Sequence, residues 1–280
     1  MAVWILQALA GDLESAFAAA ADTAYSSYTR IPSEEFTLSL TEEFLARNAQ
    51  ATQLGVKVPG IIGAKGGTLT FKTGIPGATT NAGAVVTANA AFSELIRACG
   101  YAQQLDTGGV VATPATGATT TNVPMTDSTG IDVGSMILTR SEARFVTANS
   151  ANALTVTPAL TTIPVAADTV YASAWYRTSD TDPGTITFVA KRDGHIYRLY
   201  GAKGSVKIPD FSAAQRPMLE WTFQINHFDS TEPSGTFPTL TMPAQLVANS
   251  SPFYFGSTLT AVAGFSFDPA RTVNPRPSTA

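Results

Sequence analysis

Apolar and polar residues alternate along most of this chain, and the alternation is cleanest near its end. Leu219, Trp221, Phe223 and Ile225 interleave without error with Glu220, Thr222, Gln224 and Asn226, which predicts a core strand with one buried and one polar face. Phe36, Leu38 and Leu40 alternate with Thr37, Ser39 and Thr41, and Leu69 and Phe71 do the same within 68–73, again at the period of a half-buried strand. Residues 185–190 and 196–200 flank Lys191-Arg192-Asp193-Gly194, whose Asp-Gly pair predicts a hairpin. Residues 253–267 alternate more loosely, and the Pro-rich 274–278 reads as a free end.

One stretch breaks this period. Over 89–100, Phe92, Leu95, Ile96 and Cys99 recur at helical spacing, so the segment offers a single apolar stripe and is expected to keep Glu94 and Arg97 on its wet face. Asn89 can cap its start, and Gly100 can take the left-handed conformation that ends it. So short a helix does not persist in water, so it must be docked on a sheet. Residues 8–25 are Ala-rich, with Leu9, Leu13, Phe17 and Ala20 on one helical face. That permits a helix, and a mobile N-terminal arm reads much the same.

Two segments read as connections. Between the strand candidates near 36–41 and 68–73, residues 42–67 contain Pro59, Gly60, Gly63, Gly66 and Gly67, too long for a tight hairpin and of the size that is usually functional. Residues 107–174 are dense in Thr, Ala, Gly, Val and Pro, with strand candidates at 120–125, 135–139, 143–148, 153–157 and 168–172 separated by turn residues. They read as an inserted small β module whose ends lie close together. The expected fold is therefore mainly β, a sandwich or part-barrel with one packed helix plus that module. The division is 1–106, the insert 107–174, and 175–280.

Composition narrows the function classes. The chain has 280 residues, enough for a substantial core, and only 14% of them are charged, so its surface must be largely Thr, Ser, Ala and Gly. Twenty-one acidic against seventeen basic residues give a net charge of −4, which argues against gripping a phosphate backbone. No stretch approaches bilayer length, and residues 3–9 lack the basic start of a secretory leader, so a cytosolic site of synthesis is expected. A single cysteine, Cys99, leaves stability to burial or association.

Catalytic constellations are scarce, and no enzyme activity, cofactor or metal is expected. His195 and His227 stand at strand positions without ligand-spaced neighbours. Cys99 lies on the apolar stripe, where it reads as a small core residue. Gly63-Ala64-Lys65-Gly66-Gly67-Thr68 lacks P-loop spacing and reads as a turn, and Asp127, Asp132 and Glu142 read as solvated turn residues rather than calcium ligands.

Four segments, taken in order, carry a family likeness. Phe44-Leu45-Ala46-Arg47-Asn48, with Leu54-Gly55 and residues 63–71, resembles the early part of the tail tube proteins of long-tailed bacteriophages. Residues 92–101, Phe-Ser-Glu-Leu-Ile-Arg-Ala-Cys-Gly-Tyr, resemble that family's helix, 193–206 its following hairpin, and 217–223 its closing core strand. The insert departs from the compact members. The resemblance implies a structural virion protein that partners itself in stacked hexameric rings and joins other tail proteins. The rings form a conduit that DNA traverses without specific binding. It also implies that the loop carrying Val56, Pro59, Ile61 and Ile62 reaches the next ring, and that polar Thr, Gln and Asn faces line the lumen. The alternative is a carbohydrate-binding adhesin or a capsid or tail decoration module, with Tyr171, Trp175 and Tyr176 as an aromatic platform.

Overall fold

The computed structural model describes residues 7–15, 27–45, 61–75, 88, 90–113, 115–179, 184–192, 195–212, 216–230, 237–239, 253–255, 258–260 and 264–270. Strands β1 (Gln7–Leu13), β2 (Thr29–Ile31), β3 (Glu34–Leu45) and β4 (Ile61–Gly74) precede helix α1 (Ala90–Ala98). Next come β5 (Tyr101–Leu105), β6 (Gly109–Val110), β7 (Asn122–Pro124), β8 (Met136–Thr139), β9 (Glu142–Ser150), β10 (Ala153–Thr157), β11 (Thr169–Tyr171) and β12 (Ala174–Thr178). The chain continues through β13 (Ile186–Arg192), β14 (His195–Ser212), β15 (Met218–Ile225), β16 (His227–Ser230), β17 (Phe253–Phe255), β18 (Thr258–Thr260) and β19 (Gly264–Phe267).

The main sheet runs β2-β1-β13-β14-β15-β4-β3, with β16 and β19 also pairing with β14. Its two terminal strands are consecutive in the chain, separated only by Pro32 and Ser33. Two residues span only about 10 Å at most, so the sheet curls back on itself around its core, a part-barrel with one packed helix. On β15 the burial alternates as the sequence predicts: Leu219, Trp221, Phe223 and Ile225 are buried. Phe71 stacks parallel to Phe223 at 6.0 Å between ring centroids, and Phe188 meets Phe223 edge-on at 4.8 Å. Helix α1 adds Ala91, Leu95 and Ala98 to this core, and Cys99 just after it, with Phe92 and Ile96 half-buried against it. The helix ends as expected: Gly100 has φ 83° and its N–H donates to the Arg97 carbonyl at 2.9 Å. The N-cap candidate Asn89 lies outside the described residues.

β15 packs face to face with a glycine. Gly204 stands opposite Phe223 in the β14–β15 ladder, and a Cβ there would lie 2.5 Å from the ring. Gly204→Ala is therefore expected to cost about 1–3 kcal/mol, the usual penalty of overpacking, read as a lower denaturation midpoint with an unchanged slope.

Several expectations are overturned. Residues 8–13 form a strand, not a helix or a mobile arm: β1 lies inside the sheet, paired with β13 on one edge and β2 on the other. Ala8, Leu9 and Ala10 are all buried because both faces of β1 are covered, Leu9 by the main core and Ala10 by Tyr28, Val189 and Ile196. A strand buried on both faces shows no alternation. Just beyond β1 the Glu14 carboxylate accepts hydrogen bonds from Thr185 Oγ1 (2.6 Å), Thr187 Oγ1 (2.6 Å) and Gly201 N (2.7 Å), locking β1 to β13 and β14. Phe17 and Ala20 lie outside the described residues. Residues 63–68 belong to strand β4 rather than a turn, and the supposed connection 42–67 is strand at both ends, since β3 and β4 pair out to Leu45 and Ile61. Glu94 is not on the wet face: it is half-buried and accepts a hydrogen bond from Thr29 Oγ1 at 3.1 Å.

The strands from β6 to β11 form a second sheet, ordered β6-β11-β8-β9-β10-β7. A bridge between Val111 and Met125 joins the two ends of that order, closing a small barrel around its own core of Val123, Ile137, Val146, Leu154, Val156 and Val170. Its ends leave through β5 and β12, which pair antiparallel from Tyr101–Thr178 to Leu105–Ala174.

Candidate functional site

Strands β3, β4, β15 and β14 lie side by side, and their register builds a grid on the face turned away from the core. Residues with even spacing on each strand share that face. One row across the four strands is Thr37, Thr70, Thr222 and Ser205. The next is Ser39, Thr68, Gln224 and Lys203, within which Thr68 Oγ1 donates to Gln224 Oε1 at 3.2 Å. A third is Glu34, Lys72, Glu220 and Lys207.

Charges in the third row alternate in sign and are paired. Lys72 Nζ contacts Glu35 at 2.5 Å, Lys207 Nζ contacts Glu220 at 3.3 Å, and Arg216 grips both oxygens of Glu34 at 2.6 and 2.8 Å. The hydrogen bond to Glu35 holds the Lys72 ammonium above the ordinary lysine value. Such exposed pairs add little stability. Their consequence is a wetted face with hydroxyls, an amide and balanced charge.

Among the described residues this face ends at β3. Among the described residues, β4 is the one strand that pairs with the 12-residue β3. Its outer edge therefore presents a row of backbone donors and acceptors to whatever lies beside it. On the core side of the same strand Phe36, Leu38 and Leu40 are only half-buried, packed on the core from one side.

The core residues predicted from sequence, Phe92, Leu95, Ile96, Cys99, Leu219, Trp221, Phe223 and Ile225, converge on one cluster behind the grid. Of the four loop residues, Ile61 and Ile62 are in β4, paired with Leu45 and Phe44, so they belong to a ladder rather than a loop. Val56 and Pro59 lie outside the described residues. Trp175 and Tyr176 do not share one platform: they are successive residues of β12 and point to opposite faces, and Tyr171 stands on β11. Trp175 Nε1 donates to Asp106 at 3.2 Å, while Tyr176 meets Phe92 edge-on at 5.5 Å.

Other titratable candidates are occupied locally. Asp127 accepts the Thr129 N–H at 2.8 Å, which holds its carboxyl below the usual range, and Glu142 is bound by Thr161 and Arg144. His227, which the sequence left without a partner, lies 3.3 Å from Asp229 on β16 and stacks near Tyr200. Asp229, two residues on along the same strand, was the signal for that pair. The sequence did not locate an open border on β3, because β3 and β4 read as separate strands with no register between them.

The chain matches no known family model and no curated protein. No helix among the described residues is long and apolar enough to cross a membrane.

Proposed function

We propose that this chain is a structural subunit of the tail tube of a long-tailed bacteriophage, assembling with copies of itself into stacked hexameric rings. The observation that carries the reading is the 12-residue outer edge of β3, which β4 alone flanks among the described residues. A long edge with a half-buried apolar side is an aggregation hazard in a monomer, and closing a ring of identical sheets removes it. In such a ring the edge of each copy is completed by its neighbour, and Phe36, Leu38 and Leu40 gain a second packing partner.

The grid beside that edge suits the wall of a conduit. Hydroxyl and amide rows wet readily, and a row of alternating, paired charges neither repels a passing polyanion nor accumulates the cations that would hold it. The net charge of −4 points the same way. The order of the four sequence segments that resemble the tail tube family adds support from outside the geometry. The small barrel of β6 to β11, sealed around its own core, has no open border to contribute to a ring wall and projects from it.

Negative-stain microscopy of the purified chain at rising concentration tests the proposal. Hollow filaments of uniform width are expected above a critical concentration. Dispersed particles at every concentration, persisting after addition of tail assembly intermediates, contradict it.

A further inference from the structure

The sheet comes round on itself at a short joint. β2 is held to β1 by three pairs, Leu9–Ile31, Ala10–Arg30 and Gly11–Thr29, and two residues later the chain enters β3. Helix α1 packs on both strands of this joint. A side-chain hydrogen bond crosses from joint to helix, from Thr29 Oγ1 to Glu94 Oε1. The other carboxyl oxygen, Oε2, is closed off from solvent and has no hydrogen-bond partner among the described residues. A neutral carboxyl tolerates that position, whereas a carboxylate there is a buried charge with one neutral donor.

The surrounding charges do not rescue the ionised form. Asp12 of β1 repels it, and Arg97 on the same helix attracts it from an exposed position. On β2, Arg30 faces the opposite side of the sheet, its guanidinium over the Phe237 ring. β13 contributes Lys191 and Arg192, and β14 contributes His195, Tyr197, Arg198, Tyr200, Lys203 and Lys207. Lys191, Arg198, Tyr200, Lys203 and Lys207 alternate onto the side of the sheet away from α1. Arg192 and His195 are exposed where β13 gives way to β14. β5 brings only Tyr101, and β12 brings Tyr176, against Phe92, and exposed Arg177.

We propose that the Glu94 carboxyl is a pH-operated latch on this corner: neutral, it is accommodated between α1 and β2 and the three-pair joint stays shut; ionised, its buried charge favours an opened corner over the closed one despite the stronger bond from Thr29, which releases β2 and frees the start of β3. Burial pushes the carboxyl up to about 7, with Asp12 adding to the rise and Thr29 and Arg97 opposing it. Because the folded value lies above the ordinary 4.5, the latch contributes fully below pH 4.5 and is lost as pH rises through 7. The latch rests on the corner itself and not on the assembly reading.

Amide hydrogen exchange across Thr29–Ile31 in the full chain, read at the amides that bond to β1 and corrected for intrinsic rates, tests it. Between pH 5 and pH 8 the opening of this segment is expected to rise on the order of 50-fold in the native chain, by linkage of a group shifted from 4.5 to 7. In Glu94→Gln, which keeps the acceptor for Thr29 but cannot ionise, it is expected to stay flat, while the amides of β15 respond alike in both proteins. The same rise in Glu94→Gln, or none in the native chain, overturns the latch. Thr29→Val, which retains the carboxyl and deletes the tie, is expected to raise opening several-fold at pH 5; opening equal to that of the native chain there also overturns it.

Discussion

A proline placed on the outward N–H side of β3 is expected to abolish filaments while leaving the subunit folded. Along an antiparallel strand successive residues direct their N–H groups to alternate edges, so of Ser39→Pro and Leu40→Pro one removes a bond to β4 and the other removes a donor from the open edge. The first is expected to lower the melting temperature, since a ladder bond is lost. The second is expected to melt within a few degrees of the parent, because proline is tolerated on edge strands, and to yield no tubes at concentrations where the parent polymerises. Leu40→Ala is the control for lost packing at that position and should still assemble. Filaments from both proline variants would show that β3 is not the joining edge. Light scattering and microscopy read assembly, and thermal unfolding reads the fold.

The largest loss of stability is expected from Trp221→Ala. The indole is fully buried, its ring lies 6.4 Å from Phe71, 6.3 Å from Phe223 and 6.2 Å from Phe92, and its Nε1 donates to Thr73 Oγ1 at 2.9 Å. Truncation removes the transfer energy of the ring, opens a cavity between sheet and helix, and is expected to cost about 3–5 kcal/mol. Thr73 is itself buried, so its hydroxyl then loses a partner, adding about 1 kcal/mol or more. Trp221→Phe keeps part of the ring packing and loses the hydrogen bond, and should fall well short of the alanine variant. Chemical denaturation gives both differences from the midpoints. A Trp221→Ala cost under about 1 kcal/mol would mean that the cluster of Phe71, Trp221 and Phe223 is not the core that organises the sheet.

What the sequence made legible follows from burial geometry. β15 was readable because one face meets the core and the other meets water, and the strands of the small barrel because Gly, Asn, Asp and Pro punctuate them. β1 was not readable: Ala8, Leu9, Ala10 and Gly11 are small or apolar on both faces, and in isolation that run fits a helix as well as a strand. The β3–β4 hairpin was cut short because Gly63, Gly66 and Gly67 suggested a turn, whereas Gly66 and Gly67 stand in the ladder opposite Thr41 and Leu40. A Cβ at Gly67 would lie 2.4 Å from the Ser39 carbonyl oxygen, so the glycine marks a close backbone approach rather than a bend. Glu94 was assigned to water because charged residues on a helix usually are; its burial depends on β2, which lies 65 residues earlier at Thr29. The polar grid had the same limit. Its Thr, Ser and Gln positions are visible in the sequence, but only the register makes Thr37, Thr70, Thr222 and Ser205 one row.

A ring of this chain requires β3 to find its second neighbour in another copy. Cryo-electron microscopy of the concentrated protein, at a resolution that separates strands, tests this directly. The expected map shows copies around a common axis, with β3 bounded by β4 on one side and by a strand of the adjacent copy on the other, and the Thr37 and Ser39 rows facing the hollow centre. Separate globules, or an assembly in which the outer edge of β3 borders only solvent, would contradict it.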